Sequence, residues 1–138
     1  MRLRMELFVD DLDASVAFYV DVLGFRVERC DPGYVSIRRG SVVLGLGPVA
    51  KLPEHGAGAG FTRQRLAADK GAGVEIVLEL DGVDEVTALY EHSRTRARIA
   101  HGLERRPWGL VDFRLTDPDG YYLRVTHGDA TTGQAPAG

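Results

Sequence analysis

Apolar and polar residues alternate along several short stretches of the chain. Over residues 110–116, Val111, Phe113 and Leu115 fall on one side, with Leu110, Asp112, Arg114 and Thr116 on the other. A two-residue period predicts a strand with one face in a core and the other toward water or a ligand. Asp117-Pro118-Asp119-Gly120 follows as a turn, because Pro118 presets φ and Gly120 takes positive φ without a clash. Residues 121–126 return as a second strand, with Trp108-Gly109 just ahead of the hairpin. Residues 2–9 alternate too. Leu3, Met5, Leu7 and Val9 form the core side, and Arg2, Arg4, Glu6 and Phe8 the other. Asp13 reads as the N-cap of a helix running through Leu23 and ended by Gly24, with Val16, Tyr19, Val20 and Leu23 as its apolar stripe. Three short strands follow at 26–30, 34–39 and 41–47, separated by Asp31-Pro32-Gly33 and Arg39-Gly40.

The second half repeats this order. Residues 74–80 alternate, with Val74, Ile76, Leu78 and Leu80 on one face and Glu75, Val77 and Glu79 on the other. Asp84 reads as the cap of a helix to Ser93 that carries Val86, Leu89 and Tyr90. Residues 98–103 make a weaker strand, and the hairpin completes the set. The expected organisation is a single domain over 1–138, with module one at 1–47, a linker at 48–73, module two at 74–127 and a frayed tail at 128–138. The linker is Gly/Ala-rich at 56–60 and loosely helical over 61–70. A helix can cover only one face of its sheet, so each module needs something on the other face.

At 138 residues the chain is long enough for a real core, and its 44% hydrophobic and 27% charged composition is that of an ordinary globular protein. A net charge of -3 gives no electrostatic case for nucleic acid or an anionic membrane. The single Cys30 cannot form an internal disulfide. With no signal-like N-terminus, a cytoplasmic location is the expectation. Cys30 lies between Arg29 and Asp31, which does not suggest a reactive thiol. His55, His92, His101 and His127 have no spacing that pairs them on a metal and read as solvated surface residues.

Two spaced segments carry a resemblance. Residues 9–25, VDDLDASVAFYVDVLGF, and residues 107–120, from Pro-Trp-Gly to Asp-Pro-Asp-Gly, together resemble the vicinal oxygen chelate superfamily (glyoxalase, bleomycin resistance protein, extradiol dioxygenase). The second segment looks most like the bleomycin-resistance branch. The resemblance implies an α+β fold of two βαβββ modules forming a curved mixed sheet with helices outside, and a homodimer with pockets at its interface. In enzymes of the family it also implies a divalent metal held by the first and last strands of each half. Those positions fall here on Arg4, Gly45, Glu75 and Arg124. Only Glu75 has a lone pair to offer a metal, since a guanidinium stays protonated and has no acceptor. No metal and no other cofactor is therefore expected.

The strand faces away from the helices carry acids, guanidiniums and aromatic rings instead. Such pairs can simply hold neighbouring strands together. They also suit a polar or planar small molecule. The ligand-binding expectation names Arg4, Glu6, Phe8, Glu75, Glu79, Trp108, Arg114, Tyr122 and Arg124. Trp108 and Tyr122 would stack on the ligand, the acids would accept its hydrogen bonds, and the arginines would orient the acids or hold an anionic group. The leading expectation is metal-free sequestration of an amphipathic metabolite or antibiotic. The alternative is a lyase, isomerase or dioxygenase of the same superfamily, either metal-dependent or with Glu75 as base. A third is a dimeric module with no small-molecule role.

Overall fold

The computed structural model of the protein describes residues 1–56, 60–67 and 70–128. Linker positions 57–59 and 68–69 and the expected tail from 129 onward lie outside the described residues. The chain divides into two compact units, one of residues 1–72 with 118–120 and the other of residues 73–117 with 121–138.

The first unit contains β1 (Met5–Val9), α1 (Leu12–Ala17), β2 (Arg26–Asp31), β3 (Tyr34–Arg39) and β4 (Val42–Pro48). Its sheet order is β1-β4-β3-β2, with β1 parallel to β4 and the other neighbours antiparallel. Leu7, Val9, Val35, Ile37, Leu44 and Leu46 point into the core. They meet Phe18, Tyr19, Val22, Leu23 and Phe25, whose rings pack edge to face at 5.0 and 5.6 Å.

Three details differ from the sequence expectation. Strand pairing begins at Met5 opposite Leu44, so Leu3 lies ahead of the ladder and is 78% exposed rather than in the core. Asp11, not Asp13, caps α1: its Oδ1 accepts from Ala14 N at 3.0 Å, while Asp13 sits in the first turn. The helix also changes to a π turn over Phe18–Val22. Ser15, Phe18, Tyr19, Val22 and Leu23 are buried, a stripe at ordinary helical spacing displaced by one residue from the expected one, with Tyr19 and Leu23 common to both. Val16 and Val20, expected in the core stripe, instead line an open groove of about 350 Å³ with Val27, Cys30 and Val35.

The second unit repeats the plan with β5 (Glu75–Leu80), α3 (Val83–Ser93), β6 (Arg98–Arg105), β7 (Val111–Thr116) and β8 (Tyr122–His127). Its order, β5-β8-β7-β6, and its parallel β5–β8 pair match the first unit strand for strand. The helix starts earlier than expected, at Val83 after an N-cap Gly82 that offers no side chain, which leaves Asp84 and Glu85 in the first turn where the helix dipole favours them. Ile76, Leu78, Val111, Phe113, Leu115, Leu123 and Val125 fill the core, with the Tyr90 ring 5.3 Å from Phe113. Between the two sets lie a short turn of helix at Val49–Lys51 and α2 (Arg63–Leu66), which Thr62 caps through Oγ1.

One five-residue turn serves both ends of β7. Arg106-Pro107-Trp108-Gly109-Leu110 and Asp117-Pro118-Asp119-Gly120-Tyr121 each close with an N–H···O=C bond from first to fifth residue, at 2.7 and 3.1 Å. Gly109 and Gly120 have φ of 93° and 90°, the left-handed geometry that a three-residue hairpin loop requires. Trp108 is therefore the tip of the β6–β7 hairpin rather than a lead-in to the next one. The weaker strand expected at 98–103 extends to Arg105 to reach this turn.

Candidate functional site

In the first unit, β1 presents Glu6 and Phe8 on the face away from α1, and Arg4 lies one residue ahead of the strand. Arg4 Nη2 donates to Glu6 Oε1 at 2.7 Å, in a pair whose side chains are 62% and 41% exposed. The Tyr34 hydroxyl donates to the same carboxylate at 3.1 and 3.0 Å. Glu6 pairs in register with Gly45, and a Cβ on Gly45 would run into both the Glu6 carboxylate and the Tyr34 hydroxyl. The bare glycine is what lets these groups lie across β4. Burial, then the hydrogen bond to Glu6 and its charge, raise the Tyr34 pKa above 10.0, so the phenol keeps its proton and orients Glu6.

Phe8 lies opposite Gly47, where a Cβ would meet nothing. The Phe61 ring stacks on Phe8 at 4.5 Å with a 40° tilt. Two residues on, Arg63 ties this segment to the preceding loop, donating to Leu52 O at 2.6 Å and pairing with Glu54 at 2.7 Å. Neither Tyr34 nor Phe61 was among the expected site residues. The β1–β4–β3 order that brings Tyr34 to Glu6 leaves no local trace in sequence. The capping signal in Thr62-Arg63-Gln64-Arg65 could have pointed to an ordered Phe61.

In the second unit, Glu75, Val77 and Glu79 of β5 share a face with Asp112, Arg114 and Thr116 of β7 and Tyr122 and Arg124 of β8. Arg124 Nε donates to Glu75 Oε1 at 2.9 Å, and Arg114 Nε faces Glu75 Oε2 at 3.7 Å, beyond hydrogen-bond reach. Arg114 and Arg124 are direct cross-strand partners. Asp112 is fully buried, and Arg106 Nε donates to its Oδ1 at 2.9 Å. That hydrogen bond, opposed by burial and reinforced by the charges of Asp112 and Glu104, raises the Arg106 pKa. Asp112 Oδ2, Arg106 Nη2, Arg114 Nε and Thr116 Oγ1 are buried without a hydrogen-bond partner among the described residues. Three of these lie at alternate positions along one strand.

The expected site residues thus gather in two groups. Arg4, Glu6 and Phe8 belong to the first unit, where Tyr34 and Phe61 join them. Glu75, Arg114, Tyr122 and Arg124 cluster in the second unit. Glu79 lies further along β5, and Trp108 is 61% exposed at its hairpin tip. His101 is exposed on β6, in keeping with a solvated surface residue, but His127 is not one. It ends β8 and has a structural role, accepting from Val111 N at 3.0 Å through Nε2, with Nδ1 3.1 Å from Gly128 O.

The donor set does not suit the divalent metal that the resemblance implies. Of the four sheet positions, Arg4 and Arg124 carry guanidiniums and Gly45 carries nothing. Glu75 has one oxygen bonded to a guanidinium and the other facing a second. Among the described residues, no three His, Cys, Asp or Glu side chains gather to hold a metal ion. No helix among them is long and apolar enough to cross a membrane.

A glyoxalase/bleomycin resistance protein/dioxygenase from Nocardioides has 24% identity and a TM-score of 0.72, with 92% of this chain and 82% of that one covered. TioX from Micromonospora sp. ML1 has 22% identity and a TM-score of 0.70 over 92% and 98% of the two chains. A lactoylglutathione lyase from Agrobacterium tumefaciens has 26% identity and a TM-score of 0.69 over 94% of each. No curated protein sequence matches the chain. The family model described as the Glyoxalase/Bleomycin resistance protein/Dioxygenase superfamily matches residues 3–125, and the chain belongs to that superfamily.

Proposed function

We propose that this protein binds and sequesters an amphipathic small molecule, an antibiotic or other metabolite, without a metal ion and as a homodimer. The observation that supports this reading is the Arg114–Glu75–Arg124 bridge. A side chain that could serve a metal or act as a base is held between two guanidiniums. Opposite-charge pairing of this kind favours orientation and recognition over proton transfer. Phe8 and Phe61 in one unit, and Tyr122 and Trp108 in the other, supply flat apolar surface for stacking.

The test is elemental mass spectrometry on the purified chain before and after incubation with nickel, zinc, manganese and iron(II), followed by ligand titrations read through Trp108. The expected result is a chain without stoichiometric metal and saturable quenching without turnover. The alternative, a lyase of the same superfamily, draws support from the 26% identity to the lactoylglutathione lyase of A. tumefaciens. It becomes the better reading if metal binds near stoichiometrically, or if turnover appears and is abolished by Glu75→Gln.

A further inference from the structure

We propose that Arg114 and Arg124 are the anchor for a carboxylate carried on a flat apolar body, which names the ligand class within the sequestration reading and rests on it. The two guanidiniums stand opposite each other on β7 and β8. Like charges in that position repel, and a counter-charge offsets the repulsion. Glu75 supplies one carboxylate for two cations, so the cluster keeps a net charge of +1. Its hydrogen bonding is also incomplete. The arginine side chain offers five N–H donors, yet among the described residues that of Arg124 uses only Nε and that of Arg114 makes no hydrogen bond. Both side chains are 22% exposed, so their remaining N–H groups are within reach of a ligand.

The surroundings narrow the class. Asp112 is paired with Arg106, whose other carboxylate partner, Glu104, is 61% exposed to water, and Glu79 lies beside Thr126, four positions along β5 from Glu75 and two from Val77, the register partner of Arg124. One excess positive charge suits a monoanion. A dianionic phosphate would bring a second negative charge against Glu75. A carboxylate also matches the guanidinium fork edge to edge. Tyr122 neighbours Glu75 and Thr116 in register, and Val77, 38% exposed, neighbours Arg124. These two side chains supply flat and apolar contact beside the anion position.

The experiment titrates the full chain with 2-naphthoate, its neutral amide 2-naphthamide, 2-naphthylmethylammonium and inorganic phosphate, using calorimetry and thermal unfolding. 2-Naphthoate should bind saturably, at least tenfold tighter than the amide, the ammonium or phosphate. Arg124→Gln should weaken it at least tenfold, and Arg124→Lys, which keeps the charge but loses the fork, by less. Glu75→Gln removes the competing carboxylate, so 2-naphthoate should bind severalfold tighter and raise the melting temperature of this variant more than that of the wild type. That last readout holds even if Glu75→Gln is destabilised, because the added anion then restores the missing counter-charge. The proposal is overturned if Glu75→Gln weakens 2-naphthoate, if the amide binds as well as the acid, if phosphate is preferred, or if no probe binds. Preference for the amide or the ammonium would overturn the ligand class alone and leave sequestration standing. Metal uptake or turnover in the preceding test would remove the sequestration reading itself.

Discussion

Asp119→Ala should be among the most damaging single changes to the first unit. Asp119 occupies the third position of its five-residue turn, the place Trp108 takes in the other one, but its side chain is only 2% exposed. Its Oδ1 accepts from Asp10 N at 2.8 Å and lies 3.1 Å from Lys70 Nζ, and its Oδ2 accepts from Ser15 Oγ at 3.3 Å. Lys70 is itself 8% exposed and has a second carboxylate, Asp10 Oδ2, at 2.8 Å. Removing one member of a buried pair strands the other charge and costs about 3–5 kcal/mol. Here the lower end applies, because Asp10 still faces Lys70 and is 71% exposed to water. About 3 kcal/mol at roughly 2–4 °C per kcal/mol lowers the melting temperature by roughly 6–12 °C. Asp119→Asn, which keeps an acceptor for Asp10 N but loses the charge, should fall between this variant and wild type. Calorimetry and urea unfolding measure both. A loss below about 1 kcal/mol for Asp119→Ala, the worth of an exposed pair, would refute the assignment of this cluster as a buried network.

Three further outcomes follow from single residues. Burial works against a charged Lys70, but its hydrogen bonds to Asp10 and Asp119 outweigh it and raise the pKa above 10.5. Its contribution is therefore complete below pH 10.5 and lost as pH rises through the higher folded-state value, so Lys70→Met should flatten the alkaline loss of stability in pH-dependent urea unfolding. An unchanged alkaline slope would count against this. Tyr34 should ionise above 10.0, and Glu6→Gln, which keeps an acceptor but removes the charge that helps raise it, should lower that value. An ultraviolet absorbance titration with Tyr34→Phe as reference reads this, and no shift on Glu6→Gln would exclude the contact in solution. Gly120→Ala should cost about 1–2 kcal/mol because φ is 90° there, whereas Gly47→Ala, in a strand with open space at its Cβ, should leave stability unchanged within about 0.5 kcal/mol or raise it. Equal effects from the two glycine changes would contradict the turn geometry.

The fold was legible where one local rule decided the outcome. Alternation at 110–116 and 74–80 placed β7 and β5 to within a residue, because each strand has one face in a core. The Asp-Pro-Asp-Gly hairpin followed from turn chemistry alone. Where two local rules competed, sequence reading failed. Asp11 and Asp13 are equally good caps by type, and only the reach of the Asp11 carboxylate to Ala14 N decides between them. Helical spacing fits Ser15, Phe18, Tyr19, Val22 and Leu23 as well as it fits Val16, Tyr19, Val20 and Leu23, and periodicity does not choose between two stripes one residue apart; the first is the buried one. The strand ladder, not alternation, decided that Leu3 lies outside the sheet.

The candidate site divides along a different line. Which residues share a sheet face follows from the two-residue period, so Arg4, Glu6 and Phe8, and Glu75, Arg114, Tyr122 and Arg124, could be grouped by counting. Which of them touch depends on parallel pairings between strands far apart in sequence, β1 with β4 and β5 with β8. That pairing sets Gly45 beneath Glu6 and brings Tyr34 to it. In the second unit it lays Glu75 between two arginines that face each other. The consequence is chemical. A glutamate alone at the edge of a sheet could bind a metal, act as a base or form a salt bridge. A glutamate shared by two opposed guanidiniums has its charge already committed, and within that trio what remains unsatisfied is positive. A search for this protein's ligand should therefore begin with anions, even though the chain as a whole carries a net charge of -3.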